Sequence, residues 1–300
     1  ALVLLTLGLV LLKKKRRKNS LIEKSQKHPS GLALYHKRTK VKMRPALEGG
    51  KNNSKVAVID FKGDLRASKR FDLSRLFDEI FFNKDELTEL VLKVESPGGG
   101  VAEYGFLYAE LERLRVRCSA LTITVCVDTV AASGGYLMSL PAHKIYAAPF
   151  AMVGSIGVVS FIPNIRKLLE KFNIQPRTFT AGDYKRTVTL TDDASPEDVE
   201  HYKQQLALIH AQFKMALTKY RTHVKVDQVA TGEAWLASTT LEKELGLVDE
   251  LRVSSDYLME LNSKNDLVFL SYEKEKESLI SRFRKVAMEV VWELRSTFSS

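Results

Sequence analysis

The feature that most constrains this chain is a repeated unit. A short β-branched strand is followed by an amphipathic helix, and small residues cluster where strand gives way to helix. KVAVIDF (55–61) reads as the first strand, and residues 72–82 set Leu73, Leu76, Phe77 and Ile80 on one helical face. ELVLKVE (89–95) is the next strand and runs into SPGGG (96–100). From Tyr104 to Leu114, a helix turns Phe106, Leu107, Leu111 and Leu114 inward. LTITVCV (121–127) is a third strand, AASGGYLMSL (131–140) a turn into a buried helix, HKIYAAP (143–149) a fourth strand, and 163–172 a helix. This alternation predicts an α/β domain with a largely parallel sheet and flanking helices. Residues 196–221 follow as a long amphipathic helix carrying Leu206, Ile209, Phe213 and Leu217.

Charge excludes one function class. The net charge of +10 resembles a nucleic-acid footprint, but residues 1–55 hold 15 Lys or Arg against Glu23 and Glu48. The rest of the chain holds 31 basic and 34 acidic residues, so no basic face for nucleic acid is expected on the folded domain. Cys118 and Cys126 lie at and within a core strand and read as small buried hydrophobes rather than a disulfide. No Cys/His cluster has metal-ligand spacing, and no cofactor is expected.

ALVLLTLGLVLL (1–12) is apolar and is followed by KKKRRK (13–18). Twelve residues rise about 18 Å as a helix against about 30 Å of hydrocarbon, so the stretch is expected to be the C-terminal half of a transmembrane helix. A signal-peptide core is the alternative, disfavoured because the positive run follows the apolar stretch. The positive flank leans the domain towards the cytoplasmic side of the membrane. Residues 13–54 read as a basic juxtamembrane linker, 55–262 as the folded domain, and 263–300 as a C-terminal amphipathic helical extension. That extension could dock on the core, line a subunit interface or lie on the bilayer.

Two small-residue turns can carry chemistry. Ser133 in VAASGGYL sits at a strand-to-helix entry, where the first backbone N–H groups of a helix are free to receive an oxyanion. The competing reading is a plain N-cap. SPGGG can bring backbone close to a ligand and supply a second donor. The histidines are poorly placed as a base for Ser133: His28 and His36 fall in the linker, His201 and His210 on the long helix, and His223 after it. His143 precedes an ordinary strand. No G-x-S-x-G elbow is present.

Taken in order, VIDFKG (58–63), ESPGGGV (95–101), VAASGGY (130–136), APFAMVGSIGVV (148–159), TAGDYKRT (180–187), VATGEAW (229–235) and GLVDE (246–250) resemble the signal peptide peptidase A family of Ser–Lys endopeptidases. The similarity is greatest to its short membrane-anchored SohB branch. The resemblance implies a crotonase and Clp-protease type of core, Ser133 as nucleophile and Lys185 as general base. It also implies Ser155 as a hydrogen-bond partner of the lysine amine, and Gly134 and Gly99 as oxyanion donors, with Gly98 or Gly100 able to take the second place. It further implies a homo-oligomeric ring in a bacterial cytoplasmic membrane, with membrane-associated peptides or small proteins as substrates. Relatives in the wider family work on the outer face of that membrane, opposite to the side the charge flank favours.

A lysine has an ordinary pKa near 10.4 and needs burial to act as a base, so Lys185 is expected to be buried and Asp183 to point away from it. The specificity pocket is expected to be small and apolar, bounded by Ala131, Ala132, Met138 and the 151–159 run. A crotonase-like acyl-thioester enzyme and an idle membrane scaffold are the alternatives from other classes.

Overall fold

The computed structural model describes residues 39–45, 54–182 and 184–274. The expected anchor over 1–12, most of the linker and the tail past Lys274 lie outside these residues, as does Asp183. Among the described residues no helix is long and apolar enough to cross a membrane.

The compact unit spans Lys42–Ser271 and is built on a parallel sheet. In chain order the strands of the sheet are β1 (Thr39–Pro45), β2 (Lys55–Lys62), β3 (Leu87–Glu95), β4 (Thr122–Val127), β6 (Lys144–Ala147), β9 (Glu250–Leu251) and β10 (Asp266–Lys274). The spatial order is β1-β10-β2-β3-β4-β6-β9, and every pairing from β10 to β9 is parallel. Strand β4 is buried along nearly its whole length and β2 and β3 through their centres, as in a parallel sheet covered on both faces. Val56, Val58, Val91, Cys126, Tyr146, Tyr257 and Leu267 form one cluster of this core.

The helices are α1 (Arg70–Phe82), α2 (Val101–Arg117), α3 (Gly134–Ser139), α4 (Arg166–Lys171), α5 (Pro196–Tyr220), α6 (Val226–Val229), α7 (Ala237–Glu242) and α8 (Ser254–Asn262). Helix α1 buries the four residues the spacing marks, Leu73, Leu76, Phe77 and Ile80. Helix α2 buries Leu107, Leu111 and Leu114 together with Tyr104. Helix α5 starts at a reciprocal capping box, in which Ser195 accepts from the Asp198 amide and the Asp198 carboxylate accepts from the Ser195 amide. Both cysteines are buried and unpaired, and burial pushes the Cys126 thiol up to about 12.

Two features depart from the sequence pattern. The central sheet does not end at residue 262. Asp266–Lys274 is a strand parallel to β2, with Val268 opposite Ala57, so the folded domain runs to at least Ser271 and the helical extension cannot begin at 263. The second is a small separate sheet of three-residue strands: β5 (Val130–Ala132) parallel to β7 (Met152–Gly154), and β8 (Ala234–Leu236) antiparallel to β7. A bridge from Ser96 to Ala131 joins SPGGG to β5. The glycine turns after β3 and β5 therefore come together at the carboxyl end of the parallel sheet, where α/β folds place ligands.

Candidate active site

Ser133 occupies the turn from β5 into α3 with φ +50° and ψ −122°. A non-glycine residue there is strained at a cost of about 1–3 kcal/mol and persists only where the surroundings impose it. They do so here: the Ser133 amide donates to the Gly154 carbonyl at 2.7 Å, and its carbonyl accepts from the Tyr136 and Leu137 amides. The side chain makes no capping hydrogen bond, so the N-cap alternative does not describe it. The geometry is that of a strained strand-to-helix elbow with a half-buried serine at its apex, reached by A-A-S-G-G instead of G-x-S-x-G.

The SPGGG turn lies directly against Ser133. Gly98 has φ +88°, and a Cβ there would stand 2.7 Å from the Gly134 nitrogen and 2.8 Å from the Ser133 Cβ. The three glycine amides have different fates. The Gly98 amide donates to Ser96 Oγ at 3.1 Å, and the Gly100 amide to the Leu65 carbonyl at 2.9 Å. The Gly99 amide has no acceptor among the described residues, and neither does the Gly134 amide at the first position of α3.

Ser133, Gly134, Gly99 and Ser155 line one cavity of about 1070 Å³. Its walls include Leu137, Val158, Ile209, Phe213, Ala216 and Lys219. This corrects the expected small pocket. The 151–159 run does line it, through Ser155, Gly157, Val158 and Val159, but Ala131 and Met138 are fully buried core residues, and α2 and α5 supply the rest of the wall.

Lys185 is elsewhere in the single chain. It is exposed and lines a second cavity with Phe161, Tyr184, Tyr202 and Gln205, which shares no residue with the first. Its segment is held on α5, where Tyr184 stacks on His201 with ring centroids 3.9 Å apart. The structure thus brings together Ser133, Gly134, Gly99 and Ser155, and leaves Lys185 apart from them. Ser155, at φ +52°, donates its hydroxyl to the Gly232 carbonyl at 3.2 Å.

His210 is a wall residue that sequence reasoning set aside. It lines the Ser133 cavity, and its Nε2 lies 3.2 Å from the Ile156 carbonyl, which also accepts from the Gly232 amide. In sequence it is one polar position on an amphipathic helix, with no local signal that α5 faces the elbow. Among the described residues no group of His, Cys, Asp or Glu is disposed to hold a metal ion.

Several known proteins are similar to this chain in sequence. The "Probable protease SohB" of Haemophilus influenzae is 39% identical over 78% of this chain and 65% of its own length. The "Probable protease SohB" of Buchnera aphidicola subsp. Schlechtendalia chinensis is 40% identical over 69% of this chain and 67% of its own. The chain therefore spans about two thirds of the length of these relatives. Among solved structures, a variant of the 1510-N membrane-bound stomatin-specific protease with a bound substrate peptide superposes with a TM-score of 0.47 at 13% identity, covering 77% of this chain and 98% of that one. The family model "Peptidase family S49" matches residues 117–267, and its N-terminal companion, "Peptidase family S49 N-terminal", matches 7–111. This chain belongs to peptidase family S49.

Proposed function

We propose that the protein is a membrane-anchored serine endopeptidase with a crotonase and Clp-protease type of core, in which Ser133 attacks the scissile carbonyl and Lys185 is the general base. The observation that carries the reading is the strained elbow at Ser133, which faces a cavity beside two unspent amide donors, Gly99 and Gly134. Preorganised amides of this kind stabilise an oxyanion because they need no reorientation as charge develops. Family membership and the position of Lys185 in TAGDYKRT support the choice of base.

In the proposed cycle Lys185 accepts the Ser133 proton while Oγ bonds to the substrate carbonyl carbon. The resulting oxyanion is held by the Gly99 and Gly134 amides. Lysine then protonates the departing amine, the C–N bond breaks, and an acyl ester remains on Ser133. Water, deprotonated by the same lysine, attacks the ester and releases the acid. The cycle requires Lys185 to leave its separate cavity for Ser133, by movement of the 157–195 segment or by supply from a second copy in the proposed ring. Ser155 would then exchange the Gly232 carbonyl for the amine.

Anchoring in the bacterial cytoplasmic membrane rests on the apolar 1–12 run and its basic flank, which also favours the cytoplasmic side. Substrates are peptides or small proteins near the bilayer. A second choice of base has one observation in its favour, since His210 shares the Ser133 cavity. Casein digestion by the chain with Ser133→Ala, Lys185→Ala or His210→Ala separates the two. The lysine reading expects loss in the first two variants and retention in the third. Loss in His210→Ala with retention in Lys185→Ala transfers the role to histidine.

A further inference from the structure

Behind the elbow lies a buried chain of hydrogen bonds whose direction is fixed by its ends. The Gly98 amide donates to Ser96 Oγ at 3.1 Å, Ser96 Oγ lies 2.6 Å from Tyr104 Oη, and Tyr104 Oη donates to the Asp64 carbonyl at 2.8 Å. An amide can only donate and a carbonyl can only accept. The Ser96 hydroxyl must therefore donate to Tyr104, leaving its lone pair for Gly98. Ser96 and Tyr104 are fully buried. Burial also holds the Tyr104 phenol above its ordinary range, so it remains a donor at neutral pH.

The same tyrosine braces the other half of the oxyanion site. Its ring lies so close to the start of α3 that a Cβ on Gly134 would stand 2.5 Å from Tyr104 Cγ. Its hydroxyl likewise excludes a side chain from Gly63, where a Cβ would come within 2.5 Å of Oη. One side chain thus touches the elbow through its ring and orders SPGGG through its hydroxyl.

We infer that Tyr104, acting through Ser96, is a positioning residue that holds the Gly99 and Gly134 amides in register for the oxyanion. This rests on the peptidase reading and adds to it a residue from α2 whose hydroxyl acts through Ser96, although its ring also borders the Ser133 cavity. By binding the Gly98 amide, Ser96 turns that donor away from the cavity and fixes the next peptide, which carries the Gly99 amide. Without the Tyr104 hydroxyl, Ser96 Oγ–H has no acceptor and is free to rotate, and the turn loses its fixed orientation. Chains of this kind act as a unit, so deletions along them are not additive.

The test uses the full chain in four forms, namely wild type, Tyr104→Phe, Ser96→Ala and the double variant. The readouts are peptide hydrolysis, inhibition by a peptide aldehyde and thermal melting. The aldehyde adds Ser133 Oγ across its C=O to give a hemiacetal whose oxygen occupies the oxyanion position. Tyr104→Phe is expected to melt within a few degrees of wild type, to keep KM and to lose kcat by about 10-fold or more, short of the roughly 10²–10³ cost of deleting a donor outright. Aldehyde affinity should fall in the same proportion, and the double variant should lose no more than the worse single. Unchanged kcat in Tyr104→Phe, or single effects that multiply in the double variant, overturns the inference while leaving the peptidase reading intact. A wild-type chain that cuts no peptide and takes no aldehyde at Ser133 overturns both.

Discussion

Gly98 and Gly134 belong to turns after different strands, yet their backbones approach so closely that a Cβ on Gly98 would stand 2.7 Å from the Gly134 nitrogen. With φ at +88°, Gly98 is also in a conformation that side chains resist. Gly98→Ala should therefore separate SPGGG from the elbow. The expected outcome is a destabilisation of about 1–3 kcal/mol and a loss of most hydrolysis, checked by urea unfolding and peptide turnover. Near-wild-type turnover would show that this approach does not set the site.

The end of α5 is tied to the sheet edge by Arg221. Its guanidinium meets Asp249 with two bonds of 2.8 Å and donates to the Gly246 carbonyl, while Asp249 also accepts from the Ile145 amide. Only 9% of the arginine side chain is exposed. The Asp249 side chain is itself 36% exposed and can be rehydrated, so Arg221→Ala should cost about 1–2 kcal/mol, chiefly through the lost hydrogen bonds to Asp249 and Gly246, measured by denaturant unfolding.

Alkaline pH should loosen the fold through the core thiol. Cys126 is raised from its ordinary value of 9.0 to about 12, with burial the largest cause and the carboxylates of Asp128 and Glu89 adding to it. The folded chain thus binds this proton more tightly than the unfolded chain. The contribution is fully present below pH 9 and is lost as pH rises towards 12. Native protein should resist thiol reagents at pH 8 and react once unfolded. The urea midpoint should fall between pH 9 and 12, and less steeply in Cys126→Ala.

The width of the Ser133 cavity makes a prediction about substrate size. Ala216 lines it beside Phe213 and Ile209, and Ala216→Trp would fill space available to an apolar substrate side chain. KM for peptides with bulky apolar residues should rise about 10-fold, roughly 1.4 kcal/mol of lost burial, with little change for peptides with small residues. Peptide-series kinetics would measure it, and an equal change for both series would place the bulky side chain elsewhere.

The sheet was legible because β2, β3 and β4 are short runs rich in Val, Ile and Leu between turn signals, and because Leu73, Leu76, Phe77 and Ile80 recur at helical spacing. The Ser133 turn was legible because small residues gather where a strand must give way to a helix. The three-residue strands Val130–Ala132, Met152–Gly154 and Ala234–Leu236 are too short to show periodicity, and their pairing is decided by tertiary contacts. Strand β10 was missed for a related reason, since its partner β2 lies near the start of the domain. The facing of His210 and the separation of Lys185 from Ser133 depend on how α5 and the 157–195 segment pack, which no local pattern encodes.

Covalent labelling reports directly on whether Ser133 is a nucleophile activated by Lys185. The chain is treated with a peptidyl fluorophosphonate, and the modified residue is mapped by mass spectrometry in wild type, Ser133→Ala and Lys185→Ala. A single adduct on Ser133 is expected, absent from Ser133→Ala and strongly slowed in Lys185→Ala. An adduct on another residue, or labelling of Ser133 at full rate without Lys185, would contradict the Ser133 and Lys185 assignment.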